Sequence, residues 1–311
     1  MYITTYVHYS LQVILQNLNQ NKKYIEMSWA TMYENAIPVV VNFTRMDHHY
    51  KNIMFAKEKY EYLMSIGDPR VQDWPLMSSP RITLIIAFLY LAICYFGPKW
   101  MSNKKPWSIN SFVLLYNLLI TTLNVYIGAE LFLTSTQLTY NWECEPVDYS
   151  NDPKAIRIAS ALWWYYASKG FELFDSLFFI LRKKESQLTF LHVYHHSTMF
   201  CLWWIGVKYV AGGSSFLGAM FNSFVHILMY SYYFLTACGP KVRAYLWWKK
   251  YLTSIQMVQF VFALVMGINA IRIGCAFPLW MQYAMVVYMV SFLVLFSDFY
   301  YKAYMRKKKL N

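Results

Sequence analysis

The sequence predicts an all-α polytopic membrane protein with seven transmembrane helices, and three observations carry that prediction. The chain has 311 residues, of which 58% are apolar, 20% aromatic and only 14% charged, a balance outside the range of ordinary soluble domains. Apolar runs near the ~20 residues that a bilayer core demands recur along it. Lysine and arginine cluster between alternate runs, as they do in loops retained on the cytosolic side.

Residues 1–75 form an N-terminal lumenal extension rich in Tyr and Asn, with no apolar run long enough to span. No basic stretch precedes a compact apolar one, so a cleaved signal peptide is not expected. Asn42, in Asn42-Phe43-Thr44, is a glycosylation sequon. His48 and His49 lie in hydrophilic sequence and read as solvated residues, and Trp74, Pro75 and Pro80 mark the approach to the first span.

Within residues 76–304, spans are expected at about 82–97, 109–128, 158–181, 190–210, 216–237, 251–271 and 278–300. With the N-terminus outside, the cytosolic segments hold Lys99, Lys104, Lys105, Arg182, Lys183, Lys184, Lys241, Arg243, Lys249, Lys250, Lys302, Arg306, Lys307, Lys308 and Lys309, against Lys154, Arg157 and Arg272 in the opposite inter-span loops. The net charge of +12 is mostly this asymmetry, which leaves no basic folded face for nucleic acid. Residues 305–311 are a basic cytosolic tail whose KKLN ending, with Lys308 and Lys309, resembles a dilysine retrieval signal to the endoplasmic reticulum.

The segment 129–156 reads as a solvated lumenal loop carrying Glu130, Glu143, Glu145, Asp148 and Asp152. Cys144 lies in it, and Cys275 lies in the other lumenal loop that holds a cysteine. Both are on the oxidising side, so a disulfide is expected, and closing a loop of more than about 100 residues would constrain the unfolded chain by ~4–5 kcal/mol on the entropy model.

The spans themselves carry unexpected polarity. The third holds Lys169, Glu172 and Asp175 at i, i+3 and i+6, covering about 120° of helix surface. Each such charge carries an insertion penalty of ~2.5–3.5 kcal/mol unless paired or wetted. The fourth holds His192, His195 and His196 on one turn, a face with no solvating water at that depth. A short basic link makes these two helices antiparallel neighbours, and Asp175 and His195 lie ~10 and ~12 Å from it, at similar depth. The fifth adds Asn222 and His226 at i and i+4, and the sixth Thr253, Gln256 and Gln259 at i+3 steps. Polar faces that converge in this way enclose a polar cavity in the cytosolic half of the bundle.

Three classes of function compete for these residues. A histidine box suggests a metal-dependent lipid oxidase or desaturase, but only four of the seven histidines lie in the membrane core, too few for a di-iron site of that kind, and no metal is assigned. A seven-span transporter or receptor could use buried charges, but no repeat relates the halves. Acyl transfer needs a nucleophile or base, carboxylates to orient it and donors for an oxyanion. With no GxSxG elbow, and Cys201 lying alone in an apolar span, histidine is the remaining nucleophile.

The stretches KGFELFD at 169–175, LHVYHHS at 191–197, NSFVHILMYSYY at 222–233 and TSIQMVQ at 253–259 resemble the four signature blocks of the fatty-acid elongases, in order and spacing, and the likeness runs from about Trp74 to the end. It is greatest to the very-long-chain elongases of animals. The resemblance implies seven helices, the last six enclosing an acyl tunnel, in the endoplasmic reticulum membrane. It also implies condensation of acyl-CoA with malonyl-CoA to give 3-oxoacyl-CoA, CoA and carbon dioxide, through an acyl group carried on His195. His226 would face the reaction centre, with His192, His196, Lys169, Glu172 and Asp175 as the catalytic surround. Asn222, Gln187, Tyr230, Thr253, Gln256 and Gln259 would contact substrate. No cofactor is implied beyond the two CoA substrates. The partners implied are membrane lipid and the reductases and dehydratase of the elongation cycle, with homo-oligomer formation left open.

Overall fold

A computed structural model describes residues 48–306, and the described residues are helical, with no strand among them. Helix α1 is His48–Ser65. It is followed by α2 (Arg81–Met101), α3 (Asn110–Gln137), α4 (Pro153–Glu172), α5 (Phe174–Leu181), α6 (Phe190–Val210), α7 (Ser215–Ala237), the single turn α8 (Pro240–Arg243), α9 (Lys249–Arg272) and α10 (Leu279–Tyr300). Asn42, Lys308 and Lys309 lie outside the described residues.

Among the described residues four helices are long and apolar enough to cross a membrane: α2, α3, α9, and α10 with its continuation to Met305. The segments α4–α5, α6 and α7 fall short of that mark, and they are the ones that carry the ionisable residues singled out above. Polarity concentrated on one face lowers the mean hydropathy of a helix without shortening it.

Several boundaries differ from the sequence-based expectation, each for a local reason. The first span does not stop before Pro98; α2 continues through it to Met101, whose side chain is fully buried. Lys99 lies over the Tyr95 ring at 4.2 Å, which holds the charge at the helix end. The second span does not end at Gly128 but runs nine residues further in α3. Glu130 therefore sits on a helix, where the Arg157 guanidinium reaches both of its oxygens at 2.6 and 3.0 Å. The third helical segment begins earlier, at Pro153, because Asp152 caps it by accepting from the N–H groups of Lys154 and Ala155, and it is interrupted at Leu173.

Helix α3 packs along α7 and α4; α4 packs on α6, α2 on α5 and α6, and α9 on α10 and α7. Gly170 allows the α4–α6 approach: a Cβ there would lie 3.0 Å from the Phe200 ring, and that ring stacks on Tyr166 at 5.2 Å. The core is aromatic, with Tyr165, Tyr166, Phe200 and Phe216 essentially buried, whereas Val258, Val261, Val265, Val287 and Val294 are exposed on α9 and α10.

One end of the helices is closed by loops. Asp68 and Arg70 form a buried ion pair at 2.6 Å, Arg70 also donates to the Ala211 carbonyl at 3.0 Å, and the Asp68 N–H donates to the Lys208 carbonyl at 2.7 Å. The indole N–H groups of Trp163 and Trp204 donate to the carbonyls of Pro75 and Leu76 at 2.9 and 2.8 Å. At this end Cys144 and Cys275 are bonded to one another, 131 residues apart in sequence, with Cα atoms 5.5 Å apart. Two of the remaining acidic residues of the 138–152 loop act locally: Glu145 accepts from the Asn141 N–H at 2.7 Å, and Asp148 from the Ser150 N–H at 2.8 Å. Cys94, Cys201 and Cys238 are free thiols.

Candidate active site

Three polar groups occupy the opposite half of the helices. In the first, the Lys169 ammonium donates to Glu172 Oε1 at 2.8 Å and to Asn222 Oδ1 at 3.2 Å. His226 Nδ1 lies 3.3 Å from the ammonium and 3.1 Å from Glu172 Oε1. One Nδ1 can either accept from Lys169 or donate to Glu172, so the tautomer decides which contact is a hydrogen bond. The Tyr165 hydroxyl donates to Asn222 Oδ1 at 2.5 Å, and its ring lies under the ammonium at 4.5 Å. Lys169, Glu172 and His226 are each at most 2% exposed. Buried charges persist at such depth only when paired, and α4 supplies this pair one helical turn apart. Glu172 Oε2 is left with no hydrogen-bond partner, an open acceptor inside a buried array.

The second group is Asp175, which accepts from the Tyr230 hydroxyl at 2.6 Å. The break at Leu173 separates Glu172, at the end of α4, from Asp175, in the first turn of α5. Tyr116 of α3 borders this group, its ring 6.2 Å from that of Tyr230.

The third group is the histidine turn at the start of α6. Thr189 caps the helix by accepting from the His192 N–H, which fixes the first turn on which the histidines stand. The rings of His192 and His196 lie 4.2 Å apart, and those of His196 and His195 5.1 Å apart. His195 is half-buried against Phe292 of α10 at 5.2 Å. Among the described residues neither of its ring nitrogens makes a hydrogen bond. His192 Nε2 meets Ser176 Oγ at 2.8 Å, which places α5 beside the start of α6. Among the described residues no group of three or more His, Cys, Asp and Glu side chains is arranged to hold a metal ion.

The remaining candidates are spread along the fold. Thr253 is buried on α9. Gln256 donates to Met229 Sδ at 3.5 Å, and Gln259 keeps a buried Oε1 without a partner. Gln187 is exposed in the one-turn segment Glu185–Gln187 and makes no bond to the three groups. Sequence reasoning missed Tyr165, Tyr116, Ser176 and Tyr90. Tyrosine and serine are common throughout this chain, and only helix packing separates these four from the rest.

Beside the histidine end, basic residues from three segments approach each other. Burial and the nearby cations Arg182, Arg243 and Lys249 hold the Lys184 ammonium below its ordinary pKa, and burial with Arg243 nearby lowers Arg182. Like charges gathered in this way form a field that an anion would relieve.

Comparison with known proteins decides the family. Residues 75–311 match the pattern of the ELO domain, the GNS1/SUR4 family. The chain belongs to the ELO family. It is 50% identical over 252 residues to very long chain fatty acid elongase 4 of Homo sapiens, covering 81% of this chain and 80% of that protein. Against very long chain fatty acid elongase AAEL008004 of Aedes aegypti the identity is 44% over 259 residues, covering 82% and 72%. For very long chain fatty acid elongase 1 of Homo sapiens it is 40% over 259 residues, covering 81% and 91%. All four polar blocks of the sequence fall inside the ELO match.

Proposed function

We propose that this ELO protein is the condensing enzyme of very-long-chain fatty acid elongation, joining an acyl-CoA to malonyl-CoA to give 3-oxoacyl-CoA, CoA and carbon dioxide. The observation that carries the reading is the pairing, within one ELO chain, of an unbonded histidine at 195 with a buried Lys169–Glu172–His226–Asn222 array. In the mechanism, a neutral His195 attacks the thioester carbonyl, the C–S bond breaks, and the imidazole proton leaves with the CoA thiolate. Malonyl-CoA then loses carbon dioxide, and its enolate takes the acyl group from the imidazole, which recovers a proton from solvent. The amide of Asn222 and the Lys169 ammonium are suited to stabilise oxyanions. The Arg182, Lys184, Arg243 and Lys249 group suits the CoA phosphates. Condensation changes no oxidation state that would require a redox cofactor.

In this reading α2, α3, α4–α5, α6, α7, α9 and α10 are the seven membrane spans, and the last six surround the acyl chain. The N-terminus is lumenal, the C-terminus cytosolic, and Lys308 and Lys309 retrieve the protein to the endoplasmic reticulum. The 3-oxo product must be reduced and dehydrated elsewhere, so reductases and a dehydratase are its functional partners.

The test is to incubate purified protein with long-chain acyl-CoA alone, measuring CoA release and intact mass. The expected result is about one equivalent of CoA per enzyme, a protein heavier by one acyl group, and loss of both in His195→Ala. An enzyme that condenses when malonyl-CoA is present but releases no CoA without it would overturn the acyl-enzyme. Inhibition by a chelator, reversed by metal, would assign the histidines a ligand role instead.

A further inference from the structure

We infer that Tyr90 and Ser176 are positioning residues for the histidine turn, a hydroxyl relay that holds His192 as the tautomer with its proton on Nδ1. This rests on the condensing role proposed for that turn.

Two contacts build the relay. Tyr90 Oη lies 2.9 Å from Ser176 Oγ, and Ser176 Oγ lies 2.8 Å from His192 Nε2. The residues come from α2, α5 and α6, so the relay forms only when three separate helices are in place. Tyr90 is 4% exposed and Ser176 is fully buried, so neither hydroxyl can turn to bulk water for a partner.

Donor accounting fixes the direction. A hydroxyl has one proton to give, and a neutral imidazole has one donor nitrogen and one acceptor nitrogen. If Tyr90 donates to Ser176 and Ser176 donates to His192 Nε2, both hydroxyl protons are used on good acceptors. The reverse direction makes His192 donate to Ser176 and Ser176 to Tyr90. It leaves the buried Tyr90 proton with only the neighbouring Cys94 sulfur, a weak acceptor, and letting Tyr90 and His192 both donate to Ser176 leaves the Ser176 proton with that same sulfur. An unsatisfied buried donor is penalised more heavily than a made bond is rewarded, so the relay runs from Tyr90 to His192.

The outcome matters for the neighbours. His192 lies against His196 at 4.2 Å, and His196 against His195 at 5.1 Å. Holding His192 by one nitrogen fixes its ring and thereby the surface on which His196 packs, and His195 packs on His196 in turn. Sub-ångström placement of a nucleophile changes the chemical step far more than it changes binding.

Ser176→Ala, Ser176→Thr and Tyr90→Phe separate this role from a structural one. Steady-state condensation is measured in each, together with labelling of His192 by diethyl pyrocarbonate, located by fragmentation of the modified peptide. Ser176→Ala is expected to lower kcat about tenfold, with KM for acyl-CoA within about twofold of the parent, and to speed labelling of the freed His192 nitrogen by about tenfold. Ser176→Thr keeps the hydroxyl and should restore both, while Tyr90→Phe should fall between. Unchanged kcat in Ser176→Ala overturns the inference, as does faster labelling without a kcat change, a kcat loss without faster labelling, or failure of threonine to rescue. Because labelling needs no turnover, the relay is tested even if the parent protein shows no condensation, a result that would overturn the proposed function and leave the hydrogen bond to be judged on its own.

Discussion

The two ends of the helices solve opposite problems. At the disulfide end, loop and helix are joined by a covalent bond, a buried Asp68–Arg70 pair and indole bonds to backbone carbonyls. At the histidine end the connections are short, the buried ion pair sits inside the helices rather than in the loops, and Glu172 Oε2 has no partner. The disulfide end keeps an orphan of its own, Gln282 Oε1 beside the Cys275 and Phe277 carbonyls, but its buried charges are paired. An unpaired carboxylate oxygen such as Glu172 Oε2, kept at a penalty of about 1–3 kcal/mol or more for a buried orphan, is what distinguishes the part that meets a ligand.

The sharpest way to break this contrast is to remove Glu172. Glu172→Ala leaves Lys169 buried without its carboxylate, so a stability loss of ~3–5 kcal/mol is expected with condensation abolished. Replacing both partners, Lys169→Met with Glu172→Leu, should return most of the stability and none of the activity. Thermal unfolding in detergent and a condensation assay read the two halves separately, and a double variant that stayed as unstable as the single one would show that the pair is structural glue.

At the other end the expected pattern is reversed. Cys144→Ser with Cys275→Ser should lower stability by roughly 2–5 kcal/mol while leaving kcat per folded molecule within about twofold. A selective fall in kcat would mean that the disulfide end also shapes the site. The smallest effect is expected from Lys184→Ala, a several-fold rise in KM for malonyl-CoA, shrinking as salt is raised, with kcat unchanged. A change in kcat alone would move Lys184 out of the phosphate role.

Most of the fold was legible in the sequence because apolar runs, basic links and the Cys144 and Cys275 loops are local signals. The bounds of α6 are those the sequence predicts, and the start of α7 and the ends of α9 and α10 shift by at most two residues. What escaped needed a partner from elsewhere in the chain. Glu130 read as a loop acid because nothing near it reveals that Arg157, 27 residues on, neutralises it. Lys169, Glu172 and Asp175 could be grouped by helical periodicity. The roles of Tyr165 and Ser176 are fixed by Asn222 and His192, on other helices, and no pattern in a single sequence shows such pairs. The break at Leu173 carries neither proline nor glycine at the break itself, so it left no mark.

The separation of Cys144 from Cys275 also bears on how the protein is made. The 130 intervening residues include α4 to α9, and in the proposed orientation the spans among them must be threaded through the bilayer before the second thiol reaches the first. The bond therefore records completed assembly: a chain cut short before the loop after α9, or one whose last helices insert the wrong way round, presents Cys144 as a bare thiol to the machinery that inspects newly made lumenal proteins.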